Sequence, residues 1–67
     1  MAVARVTEIS STSPKSFDDA IQQGVARATK TLRNVRSAWV KEQRVDIRDD
    51  LITEYQVNLM VTFVLDD

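Results

Sequence analysis

The chain has no cysteine, no histidine, one glycine and one proline among its 67 residues. Each scarcity closes a route. Without cysteine there is no disulfide framework and no thiolate zinc site. Without histidine, imidazole ligation and histidine acid–base catalysis are excluded. The single glycine, Gly24, cannot furnish a phosphate-cradling loop or a glycine-rich oxyanion loop. Serine and threonine are present, but a hydroxyl nucleophile needs an adjacent base, and none is recognisable. The formal net charge of −1 lacks the basic excess of a duplex nucleic-acid binder. No apolar run approaches the roughly 20 residues of a membrane span. The segment from Met1 to Ile9 interleaves Arg5, Thr7 and Glu8 with apolar residues, unlike a signal-peptide core. The expectation is a non-enzymatic cytoplasmic protein with neither membrane nor nucleic-acid partner.

What remains is a short chain read as one domain, 1–67. A fold of this size buries only about 60% of the surface its unfolded chain exposes, which leaves a monomer marginal. Small folds recover the deficit through disulfides, a metal or self-association. With cysteine and histidine missing, self-association is the expected route.

Hydrophobic patterning predicts the order strand, helix, strand, strand. Val3 to Ile9 is short and β-branched, a first strand, and Ser10 to Pro14 reads as a polar break. Ser16 followed by Asp19 fits a helix N-cap with a short acidic capping box. Asp18 and Asp19 in the first turn, with Lys30 and Arg33 in the last, complement the helix dipole. Phe17, Ile21, Val25, Ala28 and Leu32 recur at spacings of three and four and form one apolar stripe. Gly24 sits beside that stripe, and close approach of the helix backbone to a sheet explains it. Asn34 is suited to end the helix in the left-handed conformation.

Val35 to Ile47 reads as the second strand, Arg48-Asp49-Asp50 as a turn, and Ile52 to Leu65 as the third strand. In the last, Tyr55, Val57, Leu59, Val61, Phe63 and Leu65 share one parity and point to one face. The other face mixes Gln56, Asn58 and Thr62 with Met60 and Val64. The predicted fold class is α+β: a three-stranded antiparallel sheet packed on one helix, with the third strand central. Fourteen strand residues reach about 46 Å, whereas a 17-residue helix covers about 26 Å. The strands outrun their cover, and a long open edge invites another chain.

Chemistry concentrates on the second strand. Ser37, Trp39, Lys41 and Gln43 share one parity there, and Ala38, Val40, Glu42 and Arg44 share the other. With Trp39 on the face of Gln56, an indole and a carboxamide would converge near a subunit contact. That pair suits a flat heteroaromatic ligand, through stacking and paired hydrogen bonds. The carboxylate pairs Asp18-Asp19, Asp49-Asp50 and Asp66-Asp67 fall at a helix start, a turn and the carboxyl end, where capping and solvation explain them. Oxygen ligands alone suffice for calcium, so a calcium site shared between subunits stays open.

Five segments stand out together: Thr12 to Ala20 (Thr-Ser-Pro-Lys-Ser-Phe-Asp-Asp-Ala), Ala26 to Asn34 (Ala-Arg-Ala-Thr-Lys-Thr-Leu-Arg-Asn), Val40-Lys41-Glu42-Gln43, Glu54-Tyr55-Gln56-Val57 and Val61-Thr62-Phe63. On these the chain resembles the dodecins, small flavin-binding proteins, and the resemblance runs almost from end to end. It implies a β-α-β-β subunit in a hollow homododecamer that binds and stores FMN or riboflavin without catalysis. By the same resemblance Gln56 matches a glutamine that bonds the flavin edge. Arg44 falls where an arginine lies near the flavin phosphate, while Glu42 and Asp46 fall near the flavin tail or a metal. The family's stacking tryptophan aligns with Ser37, and Trp39 follows two residues later on the same strand face. The shift is about 6.6 Å. Val64 occupies a position where some members carry an arginine implicated in coenzyme A binding. The alternative expectation is a dodecin-like shell that binds calcium or another small ligand, with Glu42 as a candidate metal residue.

Overall fold

A computed structural model describes residues 2–66, so Met1 and Asp67, the ends of the expected 1–67 domain, lie outside the described residues. The elements run β1 (Ala4–Ser13), α1 (Phe17–Thr31), β2 (Val35–Arg48) and β3 (Leu51–Val64). They form one antiparallel sheet of order β1-β3-β2. The most apolar strand takes the centre, as its pattern predicts.

The helix begins at the predicted Ser16 cap, but the Asp19 carboxylate accepts from Ser13 and Gln23 instead of closing a capping box on the Ser16 amide. Ser16 is extended, and its hydroxyl accepts from the Asp19 amide at 3.0 Å. Asp18 and Asp19 occupy the first turn and Lys30 the last, favourable ends of the dipole. The helix stops earlier than predicted. Leu32 is the C-cap, Arg33 lies beyond it, and the left-handed residue Asn34 (φ 61°) turns the chain into β2 instead. The Asn34 side chain then holds Asp66 at 2.8 Å, joining the helix exit to the end of the described chain.

The predicted break at Ser10–Pro14 is corrected in part, because β1 continues to Ser13. Ser10, Ser11, Thr12 and Ser13 all pair with β3, opposite Asn58, Val57, Gln56 and Tyr55. Ser11, on the face toward the helix, has a specific reason to be small. The helix crosses here at close range, and a Cβ built on Gly24 would stand 2.9 Å from Leu59 Cδ1 and 3.1 Å from Ser11 Cβ. A side chain on Gly24 would therefore crowd both strands.

The buried line of the helix is accordingly Ala20, Gly24 and Ala28, set on Val57, Leu59 and Val61 of β3. The larger stripe residues Phe17, Ile21, Val25 and Leu32 flank this line, half-buried. Phe17 meets Tyr55 edge to face at 5.1 Å. The helix lies over β1 and β3 and barely touches β2.

Asp49 and Asp50 close the β2–β3 hairpin, both left-handed (φ 53° and 65°). That is the requirement of a two-residue type I′ turn, which matches the twist of paired strands. The hairpin projects well past the helix and gives the molecule extents of 51 × 19 × 13 Å. Its radius of gyration, 13.8 Å, exceeds the roughly 11 Å expected of a compact chain this long. The accessible surface, 5101 Å², likewise exceeds the about 4,300 Å² of a typical monomer of this mass. Ile47, Leu51 and Ile52, at the bare hairpin end, are 65%, 69% and 51% exposed.

Candidate functional site on the uncovered sheet face

The face turned away from the helix is built in rows across the three strands. Register fixes each row: Val6–Thr62–Ser37, Glu8–Met60–Trp39, Ser10–Asn58–Glu42, and Thr12–Gln56–Arg44, with Glu54–Asp46 beyond. Strict alternation along β2 predicts that Glu42 and Arg44 oppose Trp39. The structure corrects this. Pairing steps from Val40↔Leu59 directly to Glu42↔Asn58, so Lys41 is an extra residue in β2. Such a bulge offsets the alternation by one. Downstream of it Glu42, Arg44 and Asp46 join Ser37 and Trp39 on the face of Gln56.

All six residues singled out from the sequence therefore share one surface. Trp39 is 51% exposed, Ser37, Glu42 and Arg44 are exposed, and Gln56 and Asp46 are half-buried. Along β3, rows are about 6.7 Å apart. Trp39 stands one row nearer to Gln56 than Ser37 does, so the two-residue displacement carries the indole toward the carboxamide. The sequence pattern gave no sign of the bulge, because Lys41 and Glu42 are ordinary exposed strand residues.

Glu42, Gln43, Arg44, Gln56 and Asn58 line a shallow recess of about 130 Å³. Complete small-molecule sites span roughly 300–1,000 Å³, so one copy supplies a wall rather than an enclosure. Asn58 is the functional candidate that sequence reasoning left among background polar residues. Gln56 Nε2 donates to Asn58 Oδ1 at 3.2 Å, and Asn58 Nδ2 donates to Glu42 Oε1 at 3.0 Å. Its signal was available in the sequence, as the polar residue two places after Gln56 on the same strand face.

The charged residues at the margins are loosely held. Arg44 Nε lies 3.9 Å from Asp46 Oδ1, with the arginine side chain largely exposed and the aspartate half-exposed. Lys41 Nζ reaches Glu8 Oε1 at 3.3 Å, across the central strand. Exposed pairs of this kind contribute at most about 1 kcal/mol. Val64 stands on the same face, opposite Ala4. Among the described residues no group of three or more Asp, Glu, His or Cys side chains is arranged to hold a metal ion. Among the same described residues no helix is long and apolar enough to cross a membrane.

A three-stranded sheet on one helix, with a polar recess and an exposed indole on its bare face, defines a small α+β subunit of the ligand-binding kind. The chain belongs to the dodecin family, whose model, described as Dodecin, matches residues 3–66. A dodecin of Thermus thermophilus is 42% identical over 65 residues, which are 97% of this chain and 94% of the relative. The solved dodecin from Streptomyces davaonensis superposes with a TM-score of 0.92 at 41% identity, covering 98% of this chain and 97% of its own. A calcium dodecin from Mycobacterium tuberculosis, described as calcium chelating with a novel calcium-binding site, gives a TM-score of 0.84. It is 31% identical, with 97% of this chain and 93% of the relative covered. Membership of this family makes small-ligand binding by an oligomer the general role of the chain.

Proposed function

We propose that twelve copies of this chain form a hollow shell that binds flavin, FMN or riboflavin, and sequesters it without catalysis in the cytoplasm. The observation that carries the reading is the register shift at Lys41, which aligns Trp39, Glu42 and Arg44 with Gln56 on one open face. A flat ring system stacks on the half-exposed indole. The Gln56 carboxamide pairs with the adjacent carbonyl and ring N–H of the flavin, since it offers both an acceptor and a donor. Arg44, tied only at 3.9 Å to Asp46, is free to turn toward a phosphate. Ser37 and Asp46 border the ligand, one beyond the indole and one beyond the arginine. A second copy closes the other side, which agrees with a recess too small to enclose a flavin.

Stacking against indole also quenches an excited flavin by electron transfer, which would suit storage of a photoreactive molecule. Titrating FMN or riboflavin into refolded, ligand-free protein tests the reading directly. Loss of flavin emission on binding is expected, and unchanged emission at micromolar concentrations rejects it.

A second reading is a shell that binds calcium in place of flavin, with Glu42 among the ligands. It is favoured by the relative described as calcium chelating and by Ser37 where the resemblance calls for the stacking tryptophan. Calorimetry with calcium, and melting with and without chelator, separates the two.

A further inference from the structure

The recess contains an ordered chain of polar groups whose direction is set at one end. Glu42 is a carboxylate, and an ionised carboxylate only accepts hydrogen bonds. Asn58 must therefore present its Nδ2 to Glu42, as it does at 3.0 Å. Its Oδ1 is then turned to Gln56, which must answer with Nε2, as it does at 3.2 Å. The reverse orientation of Asn58 would set a carbonyl oxygen against a carboxylate. Amide orientations follow from such networks, and this one has a single self-consistent solution. Gln56 is left with its carbonyl oxygen and its second N–H.

We infer that Glu42, acting through Asn58, is a positioning residue that fixes the hydrogen-bonding polarity of Gln56 and so selects planar ligands presenting a carbonyl beside a ring N–H. The inference rests on the flavin reading for the ligand, but the relay itself does not. Glu42 need not touch the ligand. Its role is to keep the Gln56 oxygen free to accept the ring N–H while Nε2 donates to the neighbouring carbonyl. A donor in place of Glu42 would reverse every bond. Asn58 would then give its Nδ2 to the Gln56 oxygen, and Gln56 would present its donor and acceptor in exchanged positions, the oxygen against the ligand carbonyl and the N–H against the ring N–H.

Riboflavin and N3-methylriboflavin are the probes, because both are uncharged and differ only in the ring N–H. Wild-type protein is expected to bind riboflavin about tenfold more tightly than the N-methyl compound, the worth of one hydrogen bond in a partly enclosed site. Glu42→Lys should bring that ratio close to one, and Glu42→Gln, which allows either polarity, should give an intermediate value. Native mass must show assembly intact in both variants. A ratio in Glu42→Lys equal to that of wild type overturns the inference. If riboflavin does not bind wild-type protein at all, the flavin reading falls instead. The relay is then decided by the side-chain amide ¹⁵N–¹H spectrum. Glu42→Gln displacing the Gln56 resonances, one residue removed from the substitution, supports it, and unmoved Gln56 resonances overturn it.

Discussion

The Ser13 hydroxyl donates to Asp19 Oδ2 at 2.6 Å and ties the end of β1 to the first turn of α1. The same hydroxyl accepts the Lys15 amide at 3.0 Å, and Gln23 Nε2 adds a second donor to Asp19 at 2.7 Å. Three residues thus fix the β1–α1 corner around one carboxylate. Ser13 is fully buried, so its hydroxyl has little water to replace a lost partner.

That cluster makes a pH prediction. The hydrogen bond from Ser13, followed by that from Gln23 and the charge of Lys15, holds the Asp19 carboxyl below its ordinary value of 3.8, although burial opposes them. A folded pKa below the unfolded one means that the unfolded chain binds the proton more readily. The contribution is present above pH 3.8 and is lost as pH falls through the folded pKa. Ser13→Ala should therefore lower the melting temperature near pH 7, with the gap to wild type narrowing at pH values below 3.8. A gap independent of pH would remove Asp19 from the explanation.

Gly24 sets a second test. A methyl there would lie 2.9 Å from Leu59 Cδ1, a fully buried group, and 3.1 Å from Ser11 Cβ, which is fixed to the backbone of β1. Alanine gains about 1 kcal/mol in helix propensity, while overpacking costs typically 1–3 kcal/mol. The balance should be a net loss of about 1 kcal/mol in chemical denaturation. A stabilised Gly24→Ala protein would mean that the helix can lift from the sheet at little cost.

Trp39→Ala separates stacking from packing. The indole is 51% exposed and lies opposite Met60 on the uncovered face, outside the cluster that holds the helix. Truncation should weaken flavin binding by about tenfold or more, in keeping with the roughly 1–3 kcal/mol found for base–aromatic stacking, and should abolish most fluorescence quenching. The assembly should survive. Dissociation of the variant, seen by native mass spectrometry, would instead make Trp39 an interface residue.

The element order, the central place of β3 and the Ser16 cap were legible because each is written in local chemistry: alternation, a hydroxyl followed by an acid, and a run of β-branched residues. The length of β1 was not. Ser10 to Ser13 has turn-like composition, and only the helix-side contacts, Gly24 close over Ser11 and Asp19 on the Ser13 hydroxyl, show why small hydroxyl residues suit the strand at those two positions. The shared face of Trp39, Glu42 and Arg44 was also hidden, since a bulge at Lys41 depends on how two strands pair rather than on any residue within it. Periodicity finds faces until an extra residue interrupts them. The Gln56–Asn58–Glu42 chain was lost for the same reason, because strict parity sets Glu42 on the opposite side.

The last prediction concerns the hairpin end. Ile47 pairs with Ile52 across the strands, and Arg48 pairs with Leu51 beside the Asp49–Asp50 turn. Ile47, Leu51 and Ile52 are each more than half exposed, although aspartate and arginine flank them. Their exposure serves no purpose within one copy, since α1 ends far short of them and the buried core is confined to Ala20, Ala28, Val57, Leu59 and Val61. Burying one such side chain contributes about 1.5–3 kcal/mol, and symmetry repeats each contact in every subunit. Ile52→Glu should therefore convert the assembly to small species at micromolar concentration, whereas Glu54→Gln, two residues on, should not. Melting should fall in parallel, because a separated copy keeps only that small core. A variant Ile52→Glu that runs at the wild-type mass would show that the hairpin end points into solvent, and that the subunits meet elsewhere on the sheet.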